Sequence, residues 1–495
     1  MLPRSVDPAY PAVTVTRAVF GAAPDPGRTA VLDASSGRAL THAELSTLVG
    51  TAASALARDG TVPGDVVGLL LREPLDLAVA LHAVIAAGAV PFPLTGPDAS
   101  RLLDETGAGS VITDAPGGDD DALTGGGPGT GEAAPLRLTD LLAAPAPAGA
   151  APYTPTDRAG GDIALLACTP GGEGGPARTV RLTHAEVVAG LMRVAESAMF
   201  GGADTVLSAL PFSTVLGLNG VLNPVLRLGA TAVAYSGAGR HDLLRALWDH
   251  RATVAVLPPE LVEALAHERA VCHYDLRALR AVVVAGGPLA SEGARAAASR
   301  LGCPVRQAYG PAEAGGFTHL NLRAAEEGTL DSVGRGLPGV AWRVVDPRTG
   351  AVQPSYQPGE MCVRLPVGRG AAGPVRWLPT GDSAFADEHG RAFILGRLAG
   401  ARREPPGDPE AVLAAHPSVE DAAVAPAPDD DLGLAPHAFA VLSEPVPEAD
   451  LLAYVNGRVP ATRAVSAVHV VDEIPRTAGG RVRRRELLER AGLAP

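Results

Sequence analysis

Four cysteines in 495 residues, Cys168, Cys272, Cys303 and Cys362, stand far apart with no CxxC pair. That excludes a disulfide framework and a structural zinc site, and reduced, structural thiols are expected. No apolar run reaches membrane-spanning length, and Met1 to Val19 is broken by proline and charge where a signal peptide needs a continuous apolar stretch. A soluble, cytoplasmic protein is the expectation. Basic residues are outnumbered, 41 against 54 acidic, for a net charge of −13, which excludes a nucleic-acid partner held through its phosphates. The one basic cluster, Arg481 to Arg485, reads as a solvated helix start. Aromatic residues make up only 4%, while Ala, Gly, Pro and Arg abound as a GC-rich genome would encode. No single Ala or Arg position is therefore a signal.

What is present is apolar substance for more than one core. At 46% apolar residues over this length, two or more domains are expected. Thr41 to Leu56 has apolar residues at helical spacing, with Thr41 and Glu44 placed as a capping box. Val66 to Leu71 is a continuous apolar run that reads as a buried parallel strand. A helix from about Pro74 to Ala87 stops at Gly88 and leads to a strand at Val90, which completes a βαβ unit.

The pattern continues through Thr205–Leu210, Ala230–Ala234, Thr253–Leu257 and Ala281–Ala285. From Ser332 to Leu365 the strands shorten between Gly and Pro turns, and after Arg397 a smaller αβ region begins. The fold class is α/β, with a large N-terminal domain over residues 1–398 and a small C-terminal domain over 399–495. The stretch Asp114 to Asp157, rich in Gly, Pro, Ala and Asp, reads as a flexible surface insertion.

Four constellations carry chemistry. Thr169 to His184 opens with the Gly-rich Gly171-Gly172-Glu173-Gly174-Gly175 after the apolar strand Ile163–Leu166; such a loop lets backbone N–H groups approach phosphate oxygens. Ala285-Gly286-Gly287-Pro288-Leu289 and Gln307-Ala308-Tyr309-Gly310-Pro311-Ala312-Glu313-Ala314-Gly315 put Gly turns at strand ends, where open α/β sheets bind ligands. There Tyr309 can stack on a purine and Glu313 can hold Mg²⁺ between phosphates. Trp377-Leu378-Pro379-Thr380-Gly381-Asp382 precedes Gly396-Arg397; Asp382 can accept both ribose hydroxyls and Arg397 can pair with phosphate. The fourth runs from Asp472 through Arg476 and Arg481 to Leu487.

In their order, the four resemble the adenylate-forming superfamily: acyl-CoA synthetases, coumarate-type ligases, luciferases and adenylation domains. The resemblance runs from about Leu40 to the C-terminus and includes Asp331–Pro338, similar to "SVGRPLP", and Gln357–Met361, similar to "PGEL". It implies a large N-terminal domain of mixed and parallel sheets with flanking helices plus a β-rich subdomain, and a small mobile α+β C-terminal domain hinged near Ala399 or Gly400. It implies ATP and Mg²⁺ as cofactors, a carboxylate that attacks the α-phosphate with release of pyrophosphate, and passage of the acyl group to a nucleophile. By the resemblance, Thr169, Gly171, Gly172, Arg178, Gly286, Gly287, Pro288, Tyr309, Gly310, Ala312, Asp382 and Arg397 bind the nucleotide. Glu313 is the metal residue and, with Arg397 and Arg481, catalytic. Phe212, Ser213, Leu216, Gly217, Ala308 and Gly315 line an acid pocket, which Leu218, Val221 and Phe317 would help make apolar.

Several positions depart from the family pattern. The phosphate loop normally reads "SGTTGxPKG"; here its hydroxyls are gone and Glu173 adds negative charge. Ala312 replaces the threonine before the metal glutamate, Ser213 stands where coumarate-type ligases often carry a histidine, and Arg481 stands in place of a lysine. Arg keeps the charge but is bulkier and planar; Arg476 is a second basic candidate for that role. The loop after Arg397 is short, and in CoA ligases it helps line the thiol channel. The acceptor therefore stays open among CoA, a carrier protein and an amine. Three readings follow: an AMP-forming ligase of a small or aromatic acid; a diazotase of secondary metabolism that activates nitrite for attack by an aryl amine; and a degenerate, non-catalytic nucleotide binder.

Overall fold

The computed structural model describes residues 10–21, 25–94, 98–114, 134–143, 154–169, 177–237, 239–321, 330–365, 377–398, 409–414, 416–429, 433–459, 465–475, 487, 488 and 490–493. The chain divides into two compact units, Met1–Ala399 and Gly400–Pro495.

Short β-branched runs build the main sheet of the first unit. Six of its nine strands run parallel, in the order Thr29–Asp33, Thr231–Ala234, Thr205–Ser208, Val254–Leu257, Ala281–Val284 and Val305–Tyr309. Antiparallel strands close both edges, Ala39–Thr41 at one and His319–Leu320 with Arg335–Gly336 at the other. A second, four-stranded parallel sheet holds Val66–Leu70 between Val90–Pro93 and Ser110–Thr113.

Helix Pro74–Ala86 is buried at every residue but Pro74 and Asp76, and it shares one core with strands of both sheets. Its apolar all-round sequence fits a layer with no solvent face. Helix His42–Arg58 beside it starts at the expected capping box, where Thr41 Oγ1 accepts from the Glu44 N–H and Glu44 accepts from the Thr41 N–H.

One expectation needs correction. Inside the stretch 114–157, read as a surface insertion, Ala134–Arg137 is a strand paired in parallel with Ser110–Thr113. Leu138–Ala143 is a helix that buries Leu138 and Leu141. Leu136, Leu138 and Leu141 supply the apolar face that the surrounding Gly and Pro obscured. Residues 115–133 and 144–153 lie outside the described residues.

An antiparallel four-stranded sheet follows, Ala341–Val345, Gly359–Arg364, Trp377–Ala386 and Ala392–Arg397. The second unit has a three-stranded sheet of Val419–Asp429, Gly433–Leu442 and Ala467–Val470. Helices Pro409–Ala414 and Glu448–Asn456 pack on that sheet. No helix among the described residues is long and apolar enough to cross a membrane.

Candidate active site

Two adjacent parallel strands, Ala281–Val284 and Val305–Tyr309, end on the same edge of the main sheet, and both run into glycine turns. At Gly286 the backbone takes φ +95°, a conformation that costs an L side chain strain. Buried Gln307 ties the two turns together: its Oε1 accepts from the Leu289 N–H at 3.0 Å, and its Nε2 donates to the carbonyls of Leu289 at 2.7 Å and Leu330 at 2.6 Å. Gly286, Gly287, Pro288, Tyr309 and Gly310 are thus held at neighbouring strand ends.

The antiparallel sheet supplies the other half. Asp382 and Arg397 are directly opposed on their strands. Arg397 Nε lies 3.3 Å from Asp382 Oδ1 and its Nη1 donates to the Thr380 carbonyl at 3.0 Å. Tyr309 donates its hydroxyl to Asp382 Oδ2 at 2.6 Å. The Asp382 N–H donates to Thr380 Oγ1, and Thr380 in turn donates to the Met361 carbonyl. Three expected residues from separate segments, Tyr309, Asp382 and Arg397, therefore meet in one hydrogen-bonded group.

Asp382 is only 9% exposed. Burial pushes its carboxyl above the ordinary carboxylate value, the Tyr309 hydrogen bond and Arg397 oppose the rise, and the nearby carboxylates of Glu313 and Glu360 add to it. Burial, and then the Asp382 charge, raise the Tyr309 hydroxyl well above its usual value, so it remains a donor at neutral pH. Behind Tyr309, His319 is fully buried; burial pulls its imidazole down to about 3, which keeps it neutral.

Glu313 sits in the short turn Ala312–Ala314, against which the strand Arg178–Thr183 packs. Among the described residues no cluster of three or more His, Cys, Asp or Glu is arranged to hold a metal ion. A Mg²⁺ that keeps its waters and is bound by one carboxylate plus substrate phosphates needs no such cluster, so the donor set here, Glu313, fits that ion. Thr169 and the exposed Arg178 face each other across the mouth of the Gly-rich hairpin; Gly171, Gly172 and Glu173 between them lie outside the described residues. So do Arg476, Arg481 and the short loop after Leu398.

The segments expected to line an acid pocket come together: Phe212, Val215, Leu218, Val221, Ala308 and Phe317 share one cluster, and Leu216 and Ala312 pack against it. Leu218, Val221 and Phe317, expected to help make the pocket apolar, are buried core residues behind it. Ser213 and Leu216 keep partial exposure, and Gly217, Ala308 and Gly315 are buried.

Sequence reasoning did not single out Gln307, Glu360, Arg193 or Asn219. It also passed over a compositional signal: the chain contains no lysine, and all 41 of its basic residues are arginine. Any cation that this chain brings to a phosphate is a guanidinium, its α-amino group or a protonated histidine.

Comparison with known proteins supplies the setting. The model of the AMP-binding enzyme family matches residues 21–370, and that of the AMP-binding enzyme C-terminal domain matches 409–481. The 4-coumarate–CoA ligase 2 of Oryza sativa subsp. japonica is 32% identical over 520 residues, covering 95% of this chain and 90% of that protein. Among solved structures, the amide bond synthetase McbA from Marinactinospora thermotolerans is 26% identical with a TM-score of 0.67, covering 96% of this chain and 99% of its own. ATP-bound MatB from Rhodopseudomonas palustris, at 24% identity and a TM-score of 0.68 over 97% of this chain and 99% of that one, shares the fold.

Proposed function

The chain belongs to the AMP-binding enzyme family, and from that premise we propose that it is an ATP-dependent, AMP-forming ligase which activates a small or aromatic acid as its adenylate. The observation that carries this reading is the Tyr309–Asp382–Arg397 group, with Glu313 close enough to act on the Asp382 carboxyl. An ionised carboxylate has about four lone-pair sites; two face Tyr309 and Arg397, which leaves acceptors for a ribose diol. The Tyr309 ring offers a face to the purine, and Gly286 to Pro288 let backbone approach it.

In the first step a carboxylate oxygen of the acid attacks the α-phosphorus. The bond from that phosphorus to the bridging oxygen breaks, and pyrophosphate leaves with the electron pair. Magnesium, held by Glu313 and the phosphates, would supply charge neutralisation between the phosphate oxygens. Arg397 places guanidinium charge on the phosphate side, and the resemblance gives Arg481 a catalytic part, while the Phe212–Gly217 and Ala308–Gly315 segments receive the acid. In the second step a nucleophile attacks the activated atom of the adenylate, the carbonyl carbon of an acyl group or the nitrogen of nitrite, and AMP departs with the bond's electron pair. We assign a thiol, CoA or a carrier protein's, as the first reading for that nucleophile. An amine is the second reading, favoured by the 26% identity to a solved amide bond synthetase; nitrite as the acid and an aryl amine as the acceptor is its most specific form.

The test is pyrophosphate release from ATP over a panel of acids that includes nitrite, each with CoA, with an aryl amine, or with neither. Acid-dependent release with a thioester product supports the first reading. An amide or diazonium product supports the second, and no adenylate with any acid refutes both.

A further inference from the structure

Behind the Glu313 turn, two polar side chains reach through an apolar core to the same stretch of backbone. Helix His184–Ala195 is buried along most of its length, and Arg193 on it is fully buried. Among the described residues its guanidinium has no ion-pair partner. Its Nη2 donates to the Ala314 carbonyl at 2.9 Å, its Nε donates to the Phe317 carbonyl at 3.2 Å, and its Nη1 is buried without a partner. Burial lowers its pKa to about 10, so it is charged at neutral pH.

Asn219, also fully buried, lies in the π-helical turn Leu218–Leu222. Its Nδ2 donates to the Gly315 carbonyl at 2.5 Å and to the Val187 carbonyl at 2.9 Å, and its Oδ1 accepts from Asn223 at 2.9 Å. Three carbonyls of the four-residue segment Ala314–Phe317 are thus held by two side chains. The neighbouring helix comes close enough to require glycine: a Cβ on Gly190 would lie 2.0 Å from the Gly315 carbonyl oxygen.

A buried charge with no opposite charge is unfavourable, and an apolar residue of similar volume would fill this core without that cost. Stability alone therefore does not account for Arg193. Arginine does provide several N–H donors in a rigid fork, which suits a segment whose carbonyls must point away from a ligand site. π-Turns, moreover, recur at functional sites.

We propose that Arg193 and Asn219 are positioning residues, which hold the Glu313 carboxylate and the Ala314–Gly315 end of the acid-pocket wall in place by fixing the carbonyls behind them. This role rests on the reading of Glu313 and of the pocket given above. It separates two halves of the site. The nucleoside is held by Gly286, Tyr309 and Asp382, which neither side chain touches, whereas the metal and the acid depend on the clamped segment.

The test uses the full chain, with the acid found in the panel above, and the variants Arg193→Met, Arg193→Lys and Asn219→Ala. Three quantities are read: KM for the acid, the Mg²⁺ concentration at half-maximal pyrophosphate release, and the Kd for AMP by calorimetry in EDTA. Expected is a rise of at least tenfold in the first two with AMP affinity within twofold of wild type. Arg193→Lys, which keeps the charge but lacks the rigid fork that spans the Ala314 and Phe317 carbonyls, should fall between wild type and Arg193→Met. It also carries the test if the Met variant does not fold. Variants with unchanged acid KM and Mg²⁺ requirement overturn the clamp, and so does a parallel loss of AMP affinity, which would mark a general structural role. A wild type that makes no adenylate with any acid overturns the parent reading instead.

Discussion

Replacing Tyr309 by Phe removes one oxygen from the candidate site and leaves the ring for the purine. That oxygen donates to Asp382 Oδ2 at 2.6 Å, and Asp382 is too buried for water to replace the bond freely. A hydrogen bond to a charged group contributes about 1.5–3 kcal/mol, so at the lower end AMP affinity should fall roughly tenfold. The pH dependence sharpens the test. Ribose hydroxyls need the ionised Asp382 as acceptor, and its folded-state pKa lies above 3.8 chiefly because of burial, with the Tyr309 bond acting against the rise. AMP binding in the wild type should therefore weaken as pH falls through that raised value. Without the Tyr309 donor the carboxyl titrates higher still, and the loss begins at a higher pH.

For stability the sign is opposite. A carboxyl raised in the folded state contributes stability at low pH that is lost as pH rises through its folded value. Calorimetric titration of AMP across a pH series in both proteins gives the answer. A Phe variant with wild-type affinity and the same pH midpoint would refute the claim that Tyr309 organises the ribose acceptor.

Gly286→Ala places an L side chain at φ +95°, where the nearest atom to the new Cβ is a Leu210 methyl at 3.9 Å. Its cost is backbone strain of about 1–2 kcal/mol, readable in urea denaturation, and a neutral substitution would argue that the turn relaxes freely. Because the chain has no lysine, amine-selective acylation should leave pyrophosphate release intact, whereas an arginine-selective dicarbonyl should abolish it and ATP should protect. Loss of activity on amine acylation would contradict this. His82, His184 and His319 are pulled by burial from 6.5 to about 4, 4 and 3. Their contribution to stability is present above 6.5 and is lost as pH falls toward those folded values. Denaturation midpoints measured from neutral pH downward should fall, and a flat profile across that window would show that the imidazoles are solvated.

The parallel strands were legible because each is a short β-branched run bounded by turns, as in Ala281–Val284 and Val254–Leu257. The strand Ala134–Arg137 was not, because its pairing with Ser110–Thr113 is set by tertiary packing, and its local sequence reads as part of a loop. The same division runs through the site. Tyr309, Asp382 and Arg397 could be picked from turn chemistry and order along the chain. That the Tyr309 hydroxyl meets the Asp382 carboxylate, 73 positions further along the chain, depends on how the antiparallel sheet meets the main one, which no local pattern encodes.

Arg193 was hidden for a different reason. In a chain whose only strong side-chain cation is arginine, an arginine on a helix reads as surface charge, and periodicity places it among apolar positions without saying why. Its meaning lies in the carbonyls it meets, those of Ala314 and Phe317, and those belong to a segment already marked by Glu313. A motif names the residue that faces the substrate; the residue that holds the motif from behind is recorded only in the packing. Polar side chains that interrupt an apolar helix or turn, such as Arg193 and Asn219, are therefore where a sequence reading of such a site has most to gain.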